Sequence, residues 1–519
     1  MSGLSLEISK YNPITLEGLR AFSRNPHTQL SLSRDPEFLG ELAASRQLFA
    51  EALAAGKPVY GATTGFGASS HQRLPSEKAP LLQASLVRYH GCGVGPALRE
   101  EQCAAVLLVR LNCLARCASA VSADLLYAIE GLLQKRLFPV IPALGSVGAS
   151  GDLTPLSYVA AALCGEREVY DQGQRRPAVE ALRQHGLSPY RLEGRDGLAL
   201  MNGSSVMSAV GGLALSDART LADRAAELTG LIVELLGAQS SPFVAELHAV
   251  KPHPGQGEAA AHILNLVDKA EQRLNPVLSG EARPIQDCYS IRCAPQVIGT
   301  LYDALAWAET LLTREINSVN DNPVFLPAQN LILNGGLFFG GHVALACDTV
   351  KTAVINVVNL MDRQLALLME PQRNAVLPEN LVAAASSNVT GLSHGFKAMQ
   401  ITMSALAAEA LKNALPASVL SRPTEASNQD VVSMGSIAAR DLDHVLGLAQ
   451  AALAIHGMAI RQGFFALESR GLVRPLNGAA RGCLARVAEA SEPVTEDRSL
   501  DLDIAQVARV LMARPWSWA

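Results

Sequence analysis

Residues 145–157, GSVGASGDLTPLS, concentrate small side chains just ahead of an apolar run. Ala149-Ser150-Gly151 is the part that can do chemistry on its own backbone. Gly151 has no Cβ, so its amide nitrogen can fold back onto the carbonyl carbon of Ala149. Ring closure with loss of two waters, one from the ring carbonyl and one from the Ser150 hydroxyl, leaves a methylidene-imidazolone. That group is an electrophile of a kind no ordinary side chain provides. The tripeptide alone is common enough to be only a tight turn. Its context says more: Asp152 suits a helix N-cap, LTPLSYVAAAL behind it reads as a helix, and Pro155 is tolerated in a first turn. The positive end of that helix would face the tripeptide.

Other residue types invite the same question. Tyr60 opens a loop, PVYGATTGFG, whose Gly61, Gly65 and Gly67 let the backbone bend over a ligand. By itself it reads first as a half-buried structural tyrosine. A phenol is a weak base at neutral pH and needs cationic or hydrogen-bonding neighbours to become phenolate. Tyr289 and Arg292, three apart in QDCYSIRCAPQ, share a face if the segment is helical. Arg292 suits a bidentate grip on a carboxylate, or a surface salt bridge. Glu409 interrupts an apolar helical pattern and belongs at an interface or near a bound amine. The nine cysteines include no Cys-x-x-Cys pair. Cys113 and Cys117 would share a helix face, but no His or acid pattern completes a metal site there. Buried free thiols in a reducing, cytoplasmic setting follow, with no metal.

Helical patterns over 36–55 and 98–135 alternate with Gly/Pro-rich loops at 56–75, 90–96 and 139–151. From about 205 the pattern lengthens. Stretches 211–238, 300–319, 342–369, 396–415 and 435–467 carry apolar residues at three-to-four spacing and stop at NDNP (320–323), Pro371 and Pro416. The expected architecture is mainly α, with a loop-rich N-terminal domain over 1–204 and a long helical bundle over 205–519. The broad apolar faces of these helices suggest that other subunits pack against them.

Composition excludes several classes. A formal charge of −5 over 519 residues, without a Lys/Arg cluster, argues against a nucleic-acid partner. The start, MSGLSLEISKYNPITLEGL, lacks the apolar core of a secretory signal. No uncharged apolar run reaches membrane-spanning length, and CAAVLLVRLNCLARCASAV (103–121) is broken by Arg110 and Arg116. GCGVG (91–95) lacks the preceding strand and following acid of a nucleotide loop.

Taken together, these stretches resemble one family. GSVGASGDLTPL resembles the prosthetic-group loop of the aromatic amino acid ammonia-lyases and aminomutases, which act on histidine, phenylalanine and tyrosine. VYGATTGFG (59–67), LALMNGSS (198–205), KPHPGQ (251–256), QDCYSIRCAPQ (286–296), NSVNDNPVF (317–325) and SNQDVVSMG (427–435) are similar to its other motifs, in the family's order.

The resemblance implies the self-cyclised methylidene-imidazolone from Ala149, Ser150 and Gly151, with no dissociable cofactor. It also implies a homotetramer whose sites draw on several subunits. Tyr60 becomes the base for the β-proton, Tyr289 joins the catalytic set, and Arg292 holds the substrate carboxylate. Asn202 is expected as a donor beside the prosthetic group, Glu409 near the amine, and Phe338 and Gly67 at the pocket.

Tyr89 and His90 fall where the family reads the ring. Tyrosine lyases there resemble His-Leu, phenylalanine lyases Phe-Leu and histidine lyases Ser-His, so Tyr-His matches none. Gln429 resembles the phenylalanine and tyrosine lyases, since histidine lyases resemble Glu there. Leu337 departs from the GGNF of many relatives. The expected activity is loss of ammonia from a tyrosine-like, then phenylalanine-like, amino acid. A 2,3-aminomutase is the alternative, with a histidine lyase or a non-catalytic scaffold further off.

Overall fold

The computed structural model describes residues 5–267, 286–382, 392–472 and 475–513. Helices dominate, and strands among the described residues run to at most four residues in four small sheets. The mainly α class expected from periodicity is the class observed. Pro36–Ala54 is helical, as read. The 98–135 pattern is two helices, Glu100–Leu114 and Ala123–Gln134. They separate where Cys117 and Ala120 take left-handed φ angles of 60° and 52°. Cys117 therefore lies outside the helix, and the shared face expected for Cys113 and Cys117 does not exist. Every residue from Gln102 to Leu114 is buried, so Glu100–Leu114 is a core helix that carries Arg110 and Asn112 inside.

The long helices are Ser205–Leu236, Ala294–Ile316, Gly341–Met369, Lys397–Lys412 and Gly435–Glu468. The first starts six residues before its apolar period becomes readable at 211. Its opening amides are capped by a residue distant in the chain, which no local signal announces. Gly341–Met369 is long and apolar enough by composition to cross a membrane, but 72% of its apolar window is buried inside the protein. Its charges have internal partners: Asp348 accepts from the Ala417 and Ser418 amides, and Lys351 donates to the Leu415 carbonyl. It is a core helix.

Two compact units emerge. One gathers residues 1–216, 308–348 and 416–441, and holds all four sheets. The other gathers 217–307, 349–415 and 442–519 and is helical, with Leu231, Met361, Leu365 and Leu453 fully buried. Both units are discontinuous along the chain, whereas the sequence reading divides it at 204/205.

Candidate active site

The 145–152 turn connects the strand Pro142–Leu144 to the helix Leu153–Leu163. Asp152 occupies the N-cap position, but its carboxylate makes no capping bond to its own helix. Instead Oδ2 accepts from the Val206 and Met207 amides, both at 2.9 Å, and so caps Ser205–Leu236. Oδ1 accepts from Ser436 and Ser146. The local capping role expected for Asp152 is thus replaced by a tertiary one. Full burial pushes its carboxyl up to about 6, against those hydrogen bonds, which pull it down.

The tripeptide itself is bent tightly. Ser150 and Gly151 have φ of 49° and 74°, and Gly148 has φ of 84°. Gly151 pairs with Gly203: the Asp152 amide donates to the Gly203 carbonyl at 2.8 Å, and the Gly203 amide to the Ser150 carbonyl at 3.3 Å. A Cβ on Gly151 would lie 2.2 Å from the Gly203 oxygen, so no larger residue fits. On the far side of Gly203, the buried Arg110 guanidinium donates to the Asn202 carbonyl at 3.2 Å. The residues present fit a backbone-derived ring: a left-handed Ser-Gly step, a seat that admits only glycine, and a serine oxygen facing a cavity.

That cavity, of about 390 Å³, lies within the first unit. Tyr60, Gly67, Ala149, Ser150, Asn202, Phe338 and Gln429, all singled out from sequence, line it. The Gln429 amide donates to Ser150 Oγ at 3.2 Å, joining residues 279 apart in the chain. Tyr60 accepts a hydrogen bond from the Gly67 amide at 2.9 Å. Burial raises its phenol above the ordinary value and the Glu425 charge adds to this, while the Gly67 bond pulls down. Glu425 sits close because both its oxygens accept from the Ala68 amide at 3.0 Å.

Asn202 differs from expectation. Its Nδ2 is already committed to Asp321 Oδ1 and the Asn322 carbonyl, each at 3.1 Å. Both partners are acceptors there, so the amide orientation is determined.

Other expected residues do not line this cavity. Tyr89 is 56% exposed at the end of Ala79–Tyr89. Its phenol is pushed up to about 12 by desolvation and then by the Tyr60 and Glu425 charges, so it neighbours the site. His90 stacks 4.5 Å from the Tyr89 ring, and its Nδ1 lies 3.4 Å from Thr154 Oγ1. Burial and then Arg167 push its imidazole down to about 4. Gly151 is buried beneath the turn.

Tyr289, Arg292 and Glu409 belong to the second unit. Tyr289–Arg292 is one helical turn, with the guanidinium 4.4 Å from the Tyr289 ring centre, as the spacing implied. Glu409 is exposed beside Lys412. Leu337 is exposed and Phe339 lines the cavity instead. Sequence reasoning missed Asn322, Asn334, Asn428 and Asp430, which also line it. In the sequence NDNP marks a helix stop and both NDNP and SNQD resemble family motifs, but their position beside Ala149–Ser150 needs the fold.

Residues 14–484 match the family model described as aromatic amino acid lyase. The chain belongs to that family. It is 39% identical over 482 residues to a histidine ammonia-lyase of Sorangium cellulosum, covering 91% of each chain. To a tyrosine ammonia-lyase of Cupriavidus metallidurans it is 38% identical over 489 residues, covering 91% and 90%. Among solved structures, tyrosine aminomutase from Streptomyces globisporus superimposes with a TM-score of 0.89 at 32% identity, covering 98% of this chain and 97% of that one. The fold and the enzyme class, a carbon–nitrogen lyase, rest on these likenesses. Histidine and tyrosine lyases stand equally near, so likeness alone does not choose the ring.

Proposed function

We propose that this lyase removes ammonia from an aromatic L-amino acid to give an arylacrylate, with a tyrosine-like ring favoured and phenylalanine next. The observation that carries the reading is Gln429, a neutral amide placed beside the reacting turn, 3.2 Å from the Ser150 hydroxyl that ring formation removes, in the same cavity as Tyr60. A carboxylate in that position would suit an imidazole ring, and an amide does not. His90, held neutral by burial, can accept a phenol hydroxyl, and Tyr89 beside it can exchange a hydrogen bond with one.

The methylidene-imidazolone that Ala149, Ser150 and Gly151 would form supplies the electrophile for amine departure. The remaining work falls to side chains. Tyr60 takes the β-proton, and the Gly67 amide stabilises the phenolate it must become. Phe338 bounds the cavity that takes the ring. Arg292 grips the substrate carboxylate with Tyr289 beside it, and Glu409 attends the amine. These three complete the site in a homotetramer whose active sites draw on several subunits.

A 2,3-aminomutase is the second reading, favoured by the likeness to the Streptomyces globisporus tyrosine aminomutase. It would use the same residues and return ammonia to the β-carbon.

Product analysis by chiral chromatography with mass detection tests both. The enzyme receives L-tyrosine, L-DOPA, L-phenylalanine and L-histidine in parallel. Arylacrylate from a phenolic amino acid, with no β-amino acid, is the expected result. An early β-amino acid means an aminomutase, and urocanate as the main product refutes the reading of Gln429. The mass of the peptide spanning 137–165 should be lower than its sequence mass by two waters, and an unmodified mass refutes the cyclised turn.

A further inference from the structure

Asn202 is held from two sides, at its backbone carbonyl by the buried Arg110 guanidinium and at its side-chain amide by Asp321 and Asn322, which Arg195 anchors. Arg110 donates to its carbonyl at 3.2 Å. Arg195 and Asp321 form an ion pair with both side chains fully buried, Nη1 to Oδ2 at 2.6 Å and Nη2 to Oδ1 at 3.1 Å. Arg195 also donates to the Ser119 and Asn322 carbonyls. The pair therefore ties together three stretches that are remote in sequence. Asp321 Oδ1 and the Asn322 carbonyl are the two acceptors that take the Asn202 Nδ2 protons. What is left of that side chain is Oδ1, which is buried and has no partner among the described residues. Asn202 and Asn322 both line the cavity.

We propose that Arg195 and Asp321 are a positioning pair for Asn202. They commit its NH2 to the protein and leave its oxygen as the one hydrogen-bonding atom for a donor in the cavity, the ammonium or amine N–H of an amino acid. The inference rests on the lyase reading of the cavity. It differs from a purely structural role in one respect. An ion pair that only holds loops together would affect activity whether or not Asn202 had an amide. A pair that acts through Asn202 loses its effect once that amide is gone.

Asp321→Asn changes the face shown to Asn202. Arg195 only donates, so it claims the new amide's oxygen and turns the NH2 toward Asn202. The Asn202 NH2 then opposes a donor at one of its two acceptors, and rotating to relieve that sets Oδ1 against the Asn322 carbonyl, so the orientation that offers Oδ1 to the cavity is no longer held.

The experiment is a double-mutant cycle of Asp321→Asn with Asn202→Ala, read as kcat/KM on the best amino acid, with thermal unfolding of each variant alongside. The expected result is a loss of at least tenfold for D321N in the wild-type background and less than twofold in the N202A background. Equal losses in both backgrounds overturn the proposal and leave the pair a structural one. A D321N enzyme within twofold of wild type overturns it as well. Should D321N fail to fold, Arg195→Lys in the same cycle answers the question, because it keeps the charge and loses the fork. Wild-type protein that turns over none of the four amino acids refutes the lyase reading instead. In that event, equal shifts of the unfolding midpoint by D321N with and without Asn202 overturn the coupling separately.

Discussion

Gly148→Ala is the most informative single change in the turn, because Gly148 lines the cavity without belonging to the cyclising tripeptide. Its φ of 84° lies in the left-handed region, where a side chain costs about 1–2 kcal/mol. The added Cβ would stand 2.2 Å from Ser433 Oγ, 3.0 Å from the Met434 nitrogen and 3.2 Å from the Ser433 nitrogen. Ser433 can swing its hydroxyl away, but the backbone contacts stay tight. The Met434 amide also donates to the Val147 carbonyl at 2.9 Å, so the two segments cannot part without breaking that bond. Relief needs a movement of about 1 Å, in either the wall carrying Ala149 and Ser150 or the wall leading from Gln429. A misplacement of that size costs about 10²-fold in rate. The assay is steady-state kcat on the best amino acid, with circular dichroism for helix content and the mass of the 137–165 peptide for the turn. The expected outcome is native helix content with kcat down about a hundredfold. Adding Ser433→Ala should recover part of the loss, since it removes the closest contact and leaves the φ strain. A G148A enzyme within threefold of wild type, with the turn still dehydrated, would refute the argument that this glycine sets the distance between Ser150 and Gln429.

Three further outcomes are expected. Tyr60→Phe should cost several orders of magnitude in kcat with little change in unfolding temperature, and a loss below tenfold would place the base elsewhere. Glu425→Gln removes a charge that raises the Tyr60 phenol, so the limb of the pH–rate profile that rises with phenolate should move to lower pH; an unmoved limb would mean that Tyr60 does not titrate in it. His456, fully buried with both ring nitrogens unpartnered among the described residues, is pushed down to about 3 by desolvation, against an ordinary value of 6.5. The unfolded chain therefore binds the extra proton below pH 6.5, and stability is lost as pH falls from there toward 3. At pH 5 the loss is about 2 kcal/mol relative to neutral pH. His456→Met should remove it. The wild-type-minus-variant difference in urea unfolding isolates the effect from Asp152, whose raised carboxyl titrates with opposite sign. Equal pH dependence of the two proteins would contradict it.

Much of the molecule was legible along the chain. Apolar spacing marked the long helices, and punctuation such as Pro371 and Pro416 marked their ends, because both are local properties of the backbone. The Ala149-Ser150-Gly151 turn was legible too, since glycine at a left-handed position is itself a local signal. What the chain alone could not show was which distant groups satisfy those local elements. Asp152 reads as the cap of its own helix and caps another, because buried amides of Val206 and Met207 need an acceptor and the fold brings this one to them. Asn202 reads as a donor, yet its donors are consumed by Asp321 and Asn322, leaving an acceptor. Gln429, 279 positions further along the chain, meets Ser150 only once the chain has folded. Residue type and spacing determined the chemistry on offer. Tertiary structure decided which atom of each side chain remains to perform it, because in a buried site every polar atom that finds an internal partner is withdrawn from the ligand.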